Sequence, residues 1–425
     1  MKIGIIGAGY VGLTAGLTLA KKGHGVTIYE SSSKPGGLAS GFRAGKWEWA
    51  IEEHYHHWFT SDTYIKKLAK EIHHPIIFSR PKTSVIIKDE LFQLDSPLSL
   101  LQFSQLSVTD RIRTGMVLAY LKTTPFWKKM ESQTAHNYLE RYMGRKSWQL
   151  IWQPLMEGKF GDFSKEIPAS WFWARIKKRS SALGYPEEGF QAFAQSIADE
   201  FQKEGGKIIY NEETIGIEKT KKGILITNKG RTPNEYDFVI CTLPTSMFIK
   251  LTSGLPQGYI NSLKPLKGLG AITLLLSLKH EFLKDNTYWL NVNDTSFPFL
   301  AVVEHTHLID KKHYNDENLV YIGNYLPVNH KYFSYTQEAL VNEFTTSLKR
   351  INRSFNKSWI NDSYVFKASF AQPIIPLNYS KQIPPFETPI EGLYLANIQQ
   401  VYPWDRGTNY AVELGEKVAN IINKL

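Results

Sequence analysis

Apolar and polar positions fall into short, sharply bounded blocks at the start of the chain. "KIGII" is an apolar run, "YVGLTAGLTLA" spaces its apolar positions for a helix of about 12 residues, and "VTIYE" is a second apolar run that closes on an acid. Strand, glycine turn, amphipathic helix and strand are predicted in that order, which is a βαβ unit. Met1 to Ala20 has a superficial likeness to a secretory leader, but the turn and second strand give it a structural role instead. Further along, "FVICTL" and "GAITLLLSL" predict buried strands, and no run approaches the roughly 18 apolar residues of a membrane span.

The first turn carries the first chemistry. Gly7, Gly9 and Gly12 form GxGxxG: the first permits the tight turn, the second lets backbone approach a pyrophosphate, and the third brings helix against strand. Glu30 lies 18 residues beyond Gly12, near the distance from which a carboxylate accepts hydrogen bonds from ribose hydroxyls. A bound dinucleotide is the expectation.

Composition narrows the setting. A length of 425 residues, 42% hydrophobic and 21% charged, describes a globular protein with a sizeable core. Cys241 is the single cysteine, which excludes an intramolecular disulfide and multi-cysteine metal sites and fits a reducing, cytoplasmic compartment. Redox chemistry therefore needs a borrowed cofactor. The net charge of +10 is spread along the chain without a block of like charges, so no nucleic-acid partner is expected. Attraction to a phosphorylated substrate or a peripheral contact with an anionic membrane stays open, with solubility as the plain reading. "HYHHW", residues 54–58, suggests a metal at first sight. Alternation along a strand puts Glu52, His54 and His56 on one face and Glu53, Tyr55 and His57 on the other, so neither face offers a full ligand set and no metal is expected.

"ESSSKPGGLAS" chooses among dinucleotides. Gly36 and Gly37, followed by Leu38, resemble the GG motif of FAD enzymes in the monoamine oxidase, protoporphyrinogen oxidase and phytoene desaturase superfamily, and "WQPLMEGKFGDFSKEIPASWFWARIKKR" resembles a segment of its protoporphyrinogen-oxidase-like bacterial members. Paired glycines let the chain pass close to a cofactor where a side chain would obstruct. Lys34 stands where the family usually has arginine, keeping the charge and losing bidentate phosphate geometry. The opening "MKIGIIGAGYVGL" also resembles UDP-glucose dehydrogenases, but Cys241 lies at a strand end and not in their catalytic motif. Three further stretches extend the FAD resemblance: "GYPEEGFQAFAQSIADEFQKEGGKIIYNEETIGIEK", "YDFVICTLPTSMF" and "GLYLANIQQVYPWDRGTNYAVELGEKVANII". They imply cofactor contacts at Thr214 and Ile215, at Thr242 to Pro244, and at Asn397, Asp405, Arg406, Gly407, Thr408, Asn409 and Tyr410. The last four would open a helix whose positive end can stabilise charge on a reduced flavin. Ala396, Asn397 and Ile398 depart from the alanine-glycine-acid run of many amine oxidases.

The resemblance implies an α/β protein with a Rossmann-type FAD domain made of residues 1–75, 186–250 and 386–425. A helical insert (76–185) and a strand-rich insert (251–385) would form an interleaved α+β substrate domain, a mixed sheet covered by helices. Glu52 best matches the acid in the turn that passes the flavin, which brings the following histidines to the flavin or the substrate. His56, His57, Lys159 and His305 are the expected catalytic candidates, the histidines moving protons near pH 7. Trp171, Phe172 and Trp173 would wall an apolar cavity, or else be core with Lys159 solvated. The implied activity is hydride transfer from a C–H or C–N bond of a small apolar or aromatic substrate to flavin N5, with reoxidation by oxygen or another acceptor. The alternative is a non-redox flavoenzyme resembling UDP-galactopyranose mutase, and a third class is a protein that holds flavin without turnover.

Overall fold

The computed structural model describes residues 1–425. It opens with the expected unit, β1 (Lys2–Ile6), α1 (Tyr10–Ala20) and β2 (Gly25–Tyr29). β1 is central in a five-stranded, all-parallel sheet, flanked by β2 and by the strand Phe238–Cys241, with Lys207–Ile209 and Leu393–Leu395 at the edges. Parallel strands need covered faces, which is why these read as unbroken apolar runs.

α1 differs from its expected amphipathic character. Nine of its 11 residues are buried, because it is packed between the sheet and the helices Phe190–Lys203 and Thr408–Ile422. Gly415 allows this approach: a Cβ there would lie 2.6 Å from the Val11 carbonyl oxygen and 3.0 Å from the Ala15 nitrogen.

A seven-stranded sheet forms the other half, in the order Ile360–Pro373, Gly268–Leu278, Asn318–Leu326, Ala301–Glu304, Thr287–Val292, Lys82–Ile87 and Glu90–Gln93. "GAITLLLSL" is the long buried strand of this sheet. The two strands between Lys82 and Gln93 come from the stretch expected to be helical. "KTSVII" pairs in parallel with Thr287–Val292, a partner more than 190 residues away that no local pattern announces. The largest core joins both halves: Leu13, Ile28 and Phe193 belong to the same buried cluster as Tyr288, Val303 and Tyr321. The helices Val108–Thr123, Gln153–Phe160 and Ala169–Lys178 lie to one side of the mixed sheet and leave cavities beneath them.

A candidate flavin cradle and the cavities beside it

The two glycine motifs meet backbone to backbone. The Gly36 N–H donates to the Ala8 carbonyl at 2.9 Å, and Gly9 bridges Gly36 in parallel. Gly7 (φ +102°), Gly36 (φ +125°) and Gly37 (φ +59°) adopt the region that side chains disfavour. At Gly12 a Cβ would overlap the Gly7 carbonyl oxygen, so this glycine serves the helix-to-strand contact. Gly9 is different. Its backbone is extended (φ −73°, ψ 177°), and a Cβ there would meet only the Gly37 Cα, at 3.9 Å. The fold tolerates a side chain at Gly9; a ligand lying against bare backbone would not.

The surrounding groups suit an anionic dinucleotide. Both α1 and the C-terminal helix begin at a glycine, Gly9 and Gly407, with no side-chain cap and no acid in the first turn. Their uncapped N–H groups and positive dipole ends favour phosphate and a negatively charged ring. Glu30, 9% exposed, spans the first loop, accepting from the Ala8 N–H at 2.7 Å and the Ser32 N–H at 2.8 Å. The Lys34 ammonium is already engaged, by the Gly41 carbonyl at 2.6 Å and Glu53 at 3.1 Å. Leu38 stays 36% exposed beyond the doublet. Thr242 donates to the Ile6 carbonyl and packs on Gly7, while Pro244 precedes the helix Thr245–Leu251.

Other candidates serve the frame. Thr214 bonds Asn228, and Ile215 is half exposed on a separate three-stranded sheet, although Glu212 just before them donates to the Glu30 carbonyl. Asn397 is 2% exposed and ties the last strand's turn to Leu243 at 2.9 Å. At the C-terminal helix, Thr408 accepts from the Trp58 indole at 2.7 Å, Asn409 accepts from the Ile65 N–H at 3.1 Å, and Tyr410 stacks on Trp404.

A cavity of about 200 Å³ opens at this helix start, lined by Gly407–Tyr410, His56, His57, Lys159, Asp405 and Arg406. Lys159, on the helix Gln153–Phe160, donates to Asp405 at 3.0 Å, and the Trp171 indole donates to the other carboxylate oxygen at 3.1 Å. Arg175 lies 3.9 Å from the same carboxylate. Burial, with Arg175 and Arg406 close by, pulls the Lys159 ammonium down to about 7 despite the attraction of Asp405. Asp405 is held low, at about 2, because the surrounding cations outweigh its burial. Lys159 can therefore change protonation near neutrality while Asp405 stays a carboxylate.

The histidines need correction. No continuous strand runs through them; the paired residues are Ile51–Glu52 and Trp58–Phe59. His56 Nδ1 turns back to the His54 carbonyl at 2.6 Å, and His57 Nδ1 meets the Tyr288 hydroxyl at 3.2 Å. Burial pulls His56 down to about 4 and His57 to about 3. Both are neutral hydrogen-bonding groups across the physiological range, not proton carriers at pH 7. His305 is farther from the expectation: it is 2% exposed, meets the Tyr314 hydroxyl at 2.8 Å and lines neither cavity. Its neighbour Glu304 is fully buried and accepts from the Phe282 and Leu283 N–H groups. Glu52 also lies inside, accepting from the Tyr185 hydroxyl at 2.7 Å and the Phe190 N–H at 2.9 Å, with its Oε2 unpartnered.

A second cavity, of about 1010 Å³, shares His57, Phe59, Arg179, Trp289 and Asn291 with the first. Its apolar wall is Leu100, Leu118, Ile151, Trp152 and Leu155, whereas Trp171, Phe172 and Trp173 are buried in the core. Arg175 and Arg179 also border the smaller cavity, and no motif in the sequence announces them. Arg175 lies in the last turn of the helix Ala169–Lys178 and Arg179 is the extended residue that ends it, so their spacing of four in "WFWARIKKR" is only a partial signal in the sequence. Arg179, on the wall common to both cavities, is pulled down to about 9 by burial and by Arg175, and remains cationic at neutral pH.

Comparison with known proteins agrees with this geometry. A structure from Exiguobacterium sp. 255-15, provisionally named a protoporphyrinogen oxidase, superposes at TM-score 0.79 with 15% identity, covering 100% of this chain and 98% of that one. An oxidoreductase from Methanosarcina mazei gives 0.76 at 19% identity over 99% and 100% of the two chains. A reduced UDP-galactopyranose mutase gives 0.78 at 14% identity over 100% and 95%. At such identities these likenesses establish the fold. The search of curated proteins returns no match. The family model for flavin-containing amine oxidoreductases matches residues 11–423, nearly the whole chain, and the chain belongs to that family of FAD-dependent oxidoreductases.

Proposed function

We propose that this protein removes hydride from a C–H bond, such as the one beside an amine nitrogen, of a small apolar or aromatic substrate, with bound FAD as the two-electron acceptor. The observation that carries the reading is the large, mainly apolar cavity that shares a wall with the pocket at the start of the C-terminal helix. Apolar walls hold an apolar body by excluding water, and the few polar groups on the shared wall set its orientation. Trp289 and Phe59 offer ring faces there, and neutral His57 and Asn291 offer hydrogen bonds. Arg179 suits an anionic group on the substrate. Lys159, poised near neutrality against Asp405, accepts the proton released when an O–H or N–H substrate is oxidised.

Anaerobic mixing of the FAD-loaded protein with candidate substrates tests this. Bleaching of the oxidised flavin band in a single turnover is expected, fastest with hydrophobic amines or partly saturated ring systems. A second reading has one observation in its favour: Arg175 and Arg179 beside the pocket suit a diphosphate, as in a nucleotide-sugar mutase. That reading requires no bleaching, and turnover of UDP-galactopyranose only after prior chemical reduction of the flavin. Neither response with either class would overturn both.

A further inference from the structure

A row of four stacked aromatic rings leads from the start of the C-terminal helix into the helical insert. Tyr410, which lines the smaller cavity, lies on Trp404 at 6.1 Å between ring centres and 12° between ring planes. Trp404 stacks on Trp173 at 5.3 Å and 24°, and Trp173 on Trp127 at 6.3 Å and 27°. Three of the molecule's six stacked aromatic pairs belong to this one row, although its rings come from distant parts of the chain: the C-terminal helix and the loop before it, the helix Ala169–Lys178 and the turn Trp127–Met130. Beyond the last stacked pair, Trp127 meets the Tyr402 ring edge-on at 5.4 Å. The Tyr402 hydroxyl donates to Glu131 at 3.0 Å, and the Ser380 hydroxyl holds the other oxygen of that buried carboxylate at 2.8 Å.

The members of the row differ in what oxidation asks of them. A tryptophan ring can lose one electron and keep its N–H proton, and the Trp173 indole donates at 3.0 Å to the Thr124 carbonyl, a group that takes no proton. A phenol gives up its proton with the electron and needs an acceptor for it. The Tyr410 hydroxyl is buried without a partner, so this ring is a spacer, whereas Tyr402 has a carboxylate in place. Charge gives the row a direction. The Lys178 ammonium lies 4.4 Å from the Trp404 ring and the Lys128 ammonium 5.9 Å from the Trp127 ring, so a positive charge costs less at the outer tryptophan. Rings in contact pass an electron in short steps where one long step would be slow.

We propose that Trp404, Trp173 and Trp127 form a path for single electrons between the flavin position and a redox-active pair, Tyr402 and Glu131. Trp404 gives one electron to a strong one-electron oxidant at the flavin position, here the photoexcited oxidised flavin. The vacancy passes to Trp173 and then to Trp127, and Tyr402 fills it, its electron going to Trp127 and its proton from Oη to Glu131. One electron is gained by the oxidant, one is lost by Tyr402 and one proton is moved; a thiolate in solution returns the electron, and Glu131 returns the proton. The path draws a damaging oxidising equivalent away from the groups that line the smaller cavity. It rests on the flavin lying at the start of the C-terminal helix, as the hydride-transfer reading does, and it needs no substrate.

Blue-light flash photolysis of the FAD-loaded protein, followed by transient absorption and electron paramagnetic resonance, tests the path without turnover. The parent is expected to give a long-lived tyrosyl radical. Tyr402→Phe and Glu131→Gln are expected to replace it with a tryptophan radical that decays faster by return of the electron, and Trp173→Phe to lose the long-lived product, each with parental FAD content and circular dichroism spectrum. Tyr402→Phe keeps its ring and carries the test should Trp173→Phe, a change in the core, fail to fold. A tyrosyl radical of parental yield and lifetime in any of the three variants, or none in the parent, would overturn the proposal. Bleaching of the flavin by substrate in the dark, with no radical after the flash, would overturn the path and leave the hydride-transfer reading standing. A radical after the flash, with no dark bleaching by any substrate, would support the path and count against that reading.

Discussion

Glu52 shows how far a single buried carboxyl can bias the molecule. Burial raises it from 4.5 to about 7, and only one of its oxygens is satisfied. A group raised in the folded state contributes its full stability below its unfolded value and loses it as pH climbs through the folded one, so this cost grows from about pH 4.5 to 7. Glutamine at the same place would still accept from Tyr185 and Phe190 through one oxygen, without a charge to bury. Glu52→Gln is therefore expected to be more stable than the parent at pH 8, by up to about 3 kcal/mol, with little difference at pH 5. Urea unfolding at both values measures it; a variant weaker at pH 8 would mean that the ionised form is the one the fold holds. Lys159 gives the kinetic counterpart. Flavin reduction should speed up as pH rises through about 7 and the ammonium loses its proton. Lys159→Met should slow it by about a hundredfold or more and remove that limb of the profile, and stopped-flow bleaching across pH separates this from a simple loss of binding. The residues themselves were unevenly readable. Glycine spacing is a backbone constraint and shows in sequence. Whether Trp171 is core or cavity wall depends on the elements packed over it, and whether His305 titrates depends on how deeply the fold buries it.

At the scale of elements, two glycines in touching helices separate ligand from fold. Gly9 precedes α1 with only the Gly37 Cα, 3.9 Å away, in front of its Cβ position, whereas Gly415 faces the α1 backbone at 2.6 Å. Gly9→Val is expected to fold with near-parental stability and to lose FAD affinity at least tenfold, about 1.4 kcal/mol. Gly415→Val must push two helices apart, costing about 1–3 kcal/mol or more of stability before any effect on the cofactor. Thermal unfolding beside FAD content after gel filtration distinguishes them, and a Gly9→Val protein with stoichiometric FAD would refute the cradle. The βαβ unit was legible because its turn, helix and strands are local. The mixed sheet was not: "KTSVII" looks like many short runs, and its pairing with Thr287–Val292 is decided by tertiary contact. The near-total burial of α1 was also hidden, since the helices that cover its second face come from the middle and end of the chain.

For the whole molecule, the candidate cradle would be assembled from separated stretches: the first loop at Gly7–Gly9, the doublet at Gly36–Gly37, and the helix start at Gly407–Tyr410. Each contributes uncapped backbone or positive-φ glycine. A ligand that touches all of them binds the folded chain and has no equivalent site in the unfolded one. Folding and FAD binding are then linked, and the stabilisation grows as RT ln(1 + [FAD]/Kd), about 2.7 kcal/mol at a hundredfold excess over Kd. Protein stripped of its flavin is expected to melt several degrees lower. Added FAD should raise Tm continuously with the logarithm of its concentration, and the same titration on Gly9→Val should stay flat over that range. NAD in place of FAD should give no comparable rise, because the family to which the chain belongs carries flavin. A stripped protein whose Tm ignores FAD would mean that the three stretches hold one another without help, and that the bare backbone at Gly9 faces nothing.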